Sequence, residues 1–455
     1  MSQQIAAVIL GAGLGTRMAS GLAKVLHAVG GLALVGHVGR AVGELGAGRV
    51  AVVVGPGMGS VVEAARAGLG SASVVGVEQA ERLGTGHAVL MAKAALKGCE
   101  GAVVVVFGDT PLIRGETLQR LAAGIAAGNA VMVAGMRPTD PGAYGRLVVG
   151  ADGSLERIVE AKDASEAERK IGLCNAGAMA LDGKVMWDLL AQVQPNNAKG
   201  EYYLTDVVAL ARAKGLRCGV IEAAFEEAVG VNSRVELAEV EALFQARKRR
   251  DAMLGGATLT DPASVWFSHD TALGRDVVVG PNVVFGPGVT VGDHVAIKGF
   301  CHLEGCTIAS GAQVGPFARL RPGAEIGPDA HIGNFVEIKA AQVHAGAKVN
   351  HLSYVGDAEV GAKANVGAGT ITCNYDGFTK AKTRIGAGAF IGSNTALVAP
   401  VCVGAGAIIG AGSVIVTDVP ADALAVARGK QEEKPGWAAR FRALKAAAKL
   451  KSKRG

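Results

Sequence analysis
Leu273-Gly-Arg-Asp-Val-Val-Val279-Gly-Pro-Asn-Val-Val-Phe285-Gly-Pro-Gly-Val-Thr-Val291 places an aliphatic or aromatic residue at every sixth position, with glycine behind each. The period continues through Ile297 and Leu303 and resumes at Ile308, Val314, Leu320, Ile326, Ile332 and Ile338. It runs on through Val343, Val349 and Val355, then Val360 and Val366, and after a gap through Ile385, Ile391, Leu397, Val403, Ile409 and Ile415. Twenty-three such units predict a hexapeptide parallel β-helix. Each unit is a short strand plus a corner, three units close one coil, and the aliphatic column fills the interior. Glycine and small residues suit the corners, where the chain turns sharply and coils sit close together. One-residue slips (303 to 308, 338 to 343, 355 to 360) shorten single units, and Thr372 to Arg384 interrupts the repeat. An insertion in a rigid solenoid is a favoured place for function.

The rest of the chain differs in kind. At 455 residues it exceeds what one core usually organises. Its 67 glycines are unevenly spread, with 37 before residue 231, two in 231–272 and 25 in 273–420. The glycine-poor stretch reads as a helical connector: Ser233-Arg-Val-Glu236 is a capping-box sequence, and Leu237, Val240, Leu243 and Phe244 follow at helical spacing. Upstream, apolar runs at Ala6–Leu10, Val50–Val54, Val74–Val77, Val103–Phe107 and Val131–Ala134 alternate with Ala-rich helical stretches. That order predicts an α/β domain with a mostly parallel sheet and ligands at the carboxyl ends of its strands. The expected division is residues 1–230, a linker over 231–254, a β-helix over 255–436 and a basic tail over 437–455.

Charge and cysteine usage bound the partners. The tail holds seven basic residues (Arg440, Arg442, Lys445, Lys449, Lys451, Lys453, Arg454) and no acid. Taken from the net charge of +6, they leave the other 436 residues at −1, so no nucleic-acid partner is expected and the tail reads as a solvated, frayed end. No apolar run is long enough to cross a bilayer. No basic segment precedes Ile5-Ala-Ala-Val-Ile-Leu10, and the seven cysteines form no C-x-x-C. The expectation is a cytoplasmic chain with reduced thiols and no integral membrane association.

Three clusters carry chemistry. Leu10-Gly-Ala-Gly-Leu-Gly-Thr-Arg-Met18 follows the first strand, where glycines let backbone amides approach phosphates and Arg17 adds a fixed cation. It is neither the dinucleotide fingerprint, since Thr16 stands at the third glycine, nor a Walker loop. Asp109 ends a strongly apolar strand, a place for a metal-holding carboxylate or a plain helix cap. In the repeat domain, Arg319-Leu-Arg-Pro-Gly323, Asn334-Phe-Val-Glu-Ile-Lys339, His351-Leu-Ser-Tyr354 and Thr370-Ile-Thr-Cys-Asn-Tyr-Asp376 gather basic and polar residues.

The glycine-rich turn with Lys24 resembles the signature of sugar-nucleotide pyrophosphorylases. The whole chain is similar to the bacterial family of bifunctional N-acetylglucosamine-1-phosphate uridyltransferase/glucosamine-1-phosphate N-acetyltransferases. Matching motifs include Gln79-Ala-Glu-Arg-Leu-Gly-Thr-Gly-His87, Phe107-Gly-Asp109, Tyr144-Gly-Arg146, Ile158-Val-Glu160, Asn175-Ala-Gly177, Gly200-Glu-Tyr-Tyr-Leu-Thr-Asp206 and Val231-Asn-Ser-Arg234. Ala23 stands where that family usually has Pro, and Phe107 replaces a common Tyr. The resemblance implies a Rossmann-like nucleotidyltransferase domain, a helical linker and a β-helix that is left-handed. It implies a homotrimer with shared acetyl-transfer sites, making UDP-N-acetylglucosamine for the cell envelope from UTP, acetyl-CoA, glucosamine-1-phosphate and N-acetylglucosamine-1-phosphate.

Site residues follow from the same resemblance. Leu10, Gly11, Ala12, Gly13, Arg17 and Lys24 would meet the nucleotide phosphates, with Gln79, Gly84 and Thr85 near uracil and Phe107 and Gly108 beside them. Asp109 and Asn232 would hold Mg²⁺, while Gly145, Glu160 and Asn175 would bond the N-acetyl sugar. His351 would be the general base of acetyl transfer, a task neutral imidazole suits. Arg321 and Lys339 would bind the sugar phosphate, Tyr354 and Asn365 the sugar, and Ala368, Asn374, Tyr375, Ser393, Ala411 and Arg428 acetyl-CoA. Two rivals stand beside this reading. A zinc hydrase on the same scaffold would need His331, His344 and His351 to converge, and a non-catalytic regulatory homologue would lack Lys24 or Asp109.

Overall fold
A computed structural model describes residues 5–13, 15–70 and 72–452, and the chain divides into two compact units. The first comprises residues up to Leu254 together with Trp266–Thr271, and the second Gly255–Val265 and the residues from Ala272 onward.

In the first unit β1 (Ala6–Leu10), α1 (Leu34–Leu45), β2 (Arg49–Val54), α2 (Gly59–Arg66), β3 (Ser73–Glu78), α3 (Thr85–Met91), β4 (Ala102–Phe107), α4 (Gly115–Ala126) and β5 (Val131–Met136) alternate in chain order. They are followed by β6 (Arg146–Val149), β7 (Leu155–Val159), β8 (Cys174–Asp182), α5 (Val207–Ala213), β9 (Cys218–Glu222) and α6 (Arg234–Leu254). The main sheet runs β9-β5-β8-β4-β1-β2-β3. It is parallel except for β8, which pairs antiparallel with both β5 and β4. Ala7, Ile9, Val104 and Val106 bury into one core, and Ala6, Val8, Val103 and Val105 into another. Burial on both faces is why these strands read as unbroken apolar runs rather than alternating ones. Leu10 pairs with Val53 and with Phe107, so the carboxyl ends of β1, β2 and β4 open side by side.

The capping box at Ser233 is formed. Ser233 Oγ accepts from the Glu236 amide at 3.2 Å, and Glu236 Oε2 accepts from the Ser233 amide at 3.0 Å. Val240 and Phe244 bury against Met18, Val29, Leu34 and Leu112 of the α/β domain. Gln245 is also buried: its amide donates to the Phe267 carbonyl at 2.7 Å and its Oε1 accepts from the Phe267 amide at 2.8 Å.

The second unit is a parallel β-helix. Three parallel sheets of ten, eight and eight two- to four-residue strands run its length. The first face contains Val278–Val279, His331–Asn334 and Lys348–His351; the second contains Val284–Phe285, Glu337–Lys339 and Tyr354–Gly356; the third contains Ala272–Leu273 and Ala341–Val343. Every periodic position from Val279 to Ile415 is buried, while Leu273, on an outer coil, is partly exposed. The interruption is shorter than the pattern suggests. Thr372 lies in a strand, Ile371–Cys373, paired with Leu397 and buried where an aliphatic residue belongs, its Oγ1 accepting from the Gly356 amide at 2.8 Å. The inserted loop is therefore 374–382, closed by a bridge between Tyr375 and Lys380.

The C-terminal segment differs from the frayed end expected. Trp437–Ser452 forms a helix, α7, on which Trp437 and Phe441 stack at 5.1 Å and the Lys445 ammonium lies 5.5 Å from the Phe441 ring centre. Lys453 and Arg454 lie outside the described residues.

Candidate active sites
Two adjoining cavities open at the carboxyl edge of the first unit's sheet. One, of about 240 Å³, is lined by Leu10, Gly11, Ala12, Gly13, Lys24, Gln79, Gly84, Thr85, Phe107 and Asp109. The other, of about 530 Å³, is lined by Arg17, Thr85, Phe107, Glu160 and Asn175, so Thr85 and Phe107 belong to both. The backbone explains the convergence. The Gly11 amide donates to Val53 O at 2.8 Å and the Gly108 amide to Leu10 O at 2.9 Å, tying both turns to the strand ends. Gly15 has φ +61°, and a Cβ there would sit 2.5 Å from Lys24 Cβ; only glycine lets this turn close over the lysine.

Lys24 Nζ donates to Asp109 Oδ2 and, at 3.0 Å, to Asn232 Oδ1. The Val231 amide donates to Asp109 O at 2.9 Å, and Glu236 Oε2 accepts from the Asn232 amide. Two oxygen donors from distant segments thus converge on one cation-sized point. An oxygen-only pair of this kind fits a hard divalent cation that takes its remaining ligands from phosphate and water.

Gln79 is buried, with its amide nitrogen on Gly84 O at 3.2 Å, and Thr85 Oγ1 accepts from the Leu204 amide at 3.0 Å. In the larger cavity burial pushes the Glu160 carboxyl above its usual range, against a hydrogen bond from Thr205. The Asn175 amide donates to Gly145 O at 2.8 Å, which brings the carbonyl of Gly145 and the side chain of Asn175 to one edge.

Sequence reasoning left out Arg82, Lys162, Lys199, Glu201, Tyr203 and Thr205, all of which line these cavities. Arg82, Glu201, Tyr203 and Thr205 lie inside motifs already noted, but a motif does not say which way a side chain points. Arg82 Nε donates to Ala12 O at 2.7 Å, and a Cβ at Gly55 would strike its guanidinium.

In the β-helix a second cluster surrounds His351. Asn334 and His351 lie opposite each other in register, two residues past the interior aliphatic position of their coils. Ala368, Ser393 and Ala411 hold that same place on later coils, and Arg428 Nη1 donates to Ala411 O at 2.6 Å. His351 Nδ1 meets Asn334 Oδ1 at 2.8 Å; a carbonyl oxygen only accepts, so the ring donates from Nδ1, and the neutral tautomer compatible with this contact carries its lone pair on Nε2. On the second face Arg321 pairs with Glu337 at 2.7 Å. Lys339 lies against Lys380 of the inserted loop, which with Arg321 pushes its ammonium below the usual lysine range. Lys380 was also unanticipated, because an inserted loop has no repeat position from which to read it. Asn374 donates to Asp357 and, at 3.5 Å, to Tyr354 Oη, while Tyr375 Oη donates to Gly377 O at 2.6 Å. Asn365 sits on the first face between Lys348 and Phe390.

His331, His344 and His351 do not form a metal site. Among the described residues no group of three or more His, Cys, Asp or Glu converges, and His344 is turned to Glu359 at 3.1 Å.

These features define the class: a nucleotidyltransferase domain joined to a hexapeptide-repeat transferase. Residues 7–173 match the MobA-like NTP transferase domain, and 270–305, 305–340 and 382–417 match the bacterial transferase hexapeptide (six repeats). The chain is 60% identical over 99% of both chains to the bifunctional protein GlmU of Paramagnetospirillum magneticum. It is 61% identical to that of Rhodospirillum rubrum, over 96% of this chain and 97% of the relative. A solved UDP-glucose pyrophosphorylase complexed with UDP-glucose aligns with TM-score 0.44 and 18% identity over 53% of this chain and 98% of its own.

The chain belongs to the bifunctional GlmU family. It is a uridyltransferase and acetyltransferase of UDP-N-acetylglucosamine synthesis with a left-handed β-helix, and the non-catalytic reading is not favoured.

Proposed function
We propose that the β-helix first acetylates glucosamine-1-phosphate from acetyl-CoA, and that the α/β domain then joins the product to UMP from UTP. The convergence of Asp109 and Asn232 on the Lys24 ammonium beside the glycine-rich turn is the observation that carries the second half. In that half the sugar phosphate oxygen bonds to the α-phosphorus and the bond to the departing pyrophosphate breaks. Little covalent work falls to the protein, so positioning and charge neutralisation dominate. Lys24 and Arg17 supply fixed positive charge, the turn from Gly11 to Gly13 supplies amides, Gln79, Gly84 and Thr85 face uracil, and Gly145, Glu160 and Asn175 hold the N-acetyl sugar. Mg²⁺ is the proposed metal; held by Asp109 and Asn232, it would neutralise phosphate charge.

In acetyl transfer the sugar amine bonds to the thioester carbonyl carbon as His351 Nε2 takes the amine proton, the C–S bond breaks, and coenzyme A leaves as a thiol once its sulfur receives that proton back from His351. Arg321 and Lys339 hold the sugar phosphate, with Tyr354 and Asn365 on the sugar. Asn374, Tyr375, Ala368, Ser393, Ala411 and Arg428 accommodate acetyl-CoA.

A homotrimer is part of this reading. Phe300, Phe317, Phe335 and Leu352 form an exposed apolar column on one corner, the rings stacked at 4.9 and 5.2 Å, and it ends beside His351. A second copy covering that column would complete the shared site. We assign the chain to the cytoplasm; the seven cysteines are free, and no helix among the described residues is long and apolar enough to cross a membrane.

A single coupled assay tests both halves. Glucosamine-1-phosphate, acetyl-CoA, UTP and Mg²⁺ should release free thiol and pyrophosphate, followed separately. Thiol without pyrophosphate, or the reverse with N-acetylglucosamine-1-phosphate supplied, would remove one half of the assignment.

A further inference from the structure
A third cavity in the first unit, of about 330 Å³, lies between α1, α4 and α6 and shares no lining residue with the two at the sheet edge. Its walls carry Arg40 from α1, Arg114 at the start of α4, Arg247 and Lys248 from α6, and the imidazoles of His37 and His269. Arg114 is answered by Glu227 at 3.7 Å. The other three cations make no ion pair among the described residues. Arg247 donates instead to Leu112 O at 3.1 Å, and Lys248 to His269 O and Thr271 O at 3.2 and 3.3 Å.

Half-buried cations held only by carbonyl groups are costly, because desolvation is not repaid by an opposite charge. Three carboxylates, those of Glu44, Glu116 and Asp251, also line the cavity, but all three residues are exposed and none forms an ion pair with Arg40, Arg247 or Lys248. Burial pushes both Arg247 and Lys248 below their ordinary values, helped by Arg114 for the first and Arg40 for the second and opposed by the carboxylate of Asp251 in both cases. Burial likewise lowers His37 to about 4, so that ring is neutral and donates through Nε2 to Val29 O.

We propose that this cavity is a binding site for a small phosphate-bearing anion, held by Arg40, Arg247 and Lys248. Its volume, about 330 Å³, admits a phosphate dianion or a compact phosphate monoester, and guanidinium forks together with an ammonium are groups that recognise one. The site is built from the same segments as the uridylyl-transfer site. Arg247 holds the carbonyl of Leu112, three residues past Asp109, and α6 begins two residues after Asn232.

The test is calorimetric titration of the full chain with inorganic phosphate and with glycerol 2-phosphate. It is done in a Lys24→Ala, Arg321→Ala background, which disables both catalytic phosphate sites. One binding event should remain. Adding Arg40→Gln, on an exposed residue, or Lys248→Gln should each weaken it about tenfold or more, the expected loss of one charge-assisted hydrogen bond. A free anion is the ligand if inorganic phosphate binds more tightly, and an organic monoester if glycerol 2-phosphate does; either order supports the site. No remaining event, or one that neither Arg40→Gln nor Lys248→Gln changes while circular dichroism reports a folded chain, would overturn it.

Discussion

Asn334 and His351 occupy equivalent places on successive coils, and their side chains meet at 2.8 Å from Oδ1 to Nδ1. A neutral imidazole has one donor and one acceptor nitrogen, so the Asn334 carbonyl fixes which is which. His351→Ala should lower acetyl transfer about 100- to 10,000-fold, the usual worth of a general base, and leave uridylyl transfer intact. Asn334→Leu removes only the orienting bond and should cost about tenfold in kcat, with KM for acetyl-CoA little changed. Thiol release measured at saturating substrate separates the two.

Gly15→Ala places a methyl group 2.5 Å from Lys24 Cβ at a backbone angle of φ +61°. Backbone strain of about 1–2 kcal/mol is small beside the displacement of Lys24 from Asp109 and Asn232. Uridylyl transfer should fall at least about 100-fold while acetyl transfer continues at its normal rate. Equal loss of both activities would indicate general unfolding rather than a local effect.

The half-buried Glu160 has its carboxyl raised above the value it takes in the unfolded chain. Its contribution to stability is therefore full below the unfolded pKa and is lost as pH rises through the folded one. Glu160→Gln, which carries no charge, should melt at a higher temperature than the unsubstituted protein at about pH 8, and the gap should close as pH falls through the carboxylate range. The same change should raise KM for the N-acetyl sugar phosphate. Melting curves whose separation is independent of pH would count against this account.

Arg82 ties the loop carrying Gln79 and Gly84 to the phosphate-binding turn through Ala12 O at 2.7 Å, and keeps further donors at the cavity wall. Arg82→Ala should raise KM for UTP about tenfold with kcat nearly unchanged. Lysine should restore only part of the loss, since one ammonium does not span both the carbonyl and a phosphate as a planar fork does. Initial rates against UTP concentration check both variants.

The β-helix was legible because its determinant is local: one aliphatic residue in six, repeated until chance is excluded. Where the pattern broke, the reason was a polar substitute. Thr372 satisfies its own hydroxyl and the Gly356 amide inside the column, so a buried position looked like the start of the loop. In the α/β domain five of the six parallel strands of the main sheet were visible as apolar runs, and β9 was not. The antiparallel β8 was missed: its sequence, Cys174-Asn-Ala-Gly-Ala-Met-Ala-Leu-Asp182, has little of the β-branched enrichment that marks a strand. The residues at the strand ends could be named from motifs, but the contacts of Arg82 and Lys380 depend on loop geometry that no spacing encodes.

The column of Asn334, His351, Ala368, Ser393 and Ala411 has a metrical consequence. Neighbouring parallel strands lie about 4.8 Å apart, so three steps separate His351 from Ala411 by about 14 Å. On the proposed assignment this straight edge is a ruler for the acyl carrier. A thioester reaches His351 with its anchoring end at Arg428 only if the arm between them spans those coils. Acetyl donors truncated to a two-carbon thiol should be read as too short, whatever their intrinsic reactivity.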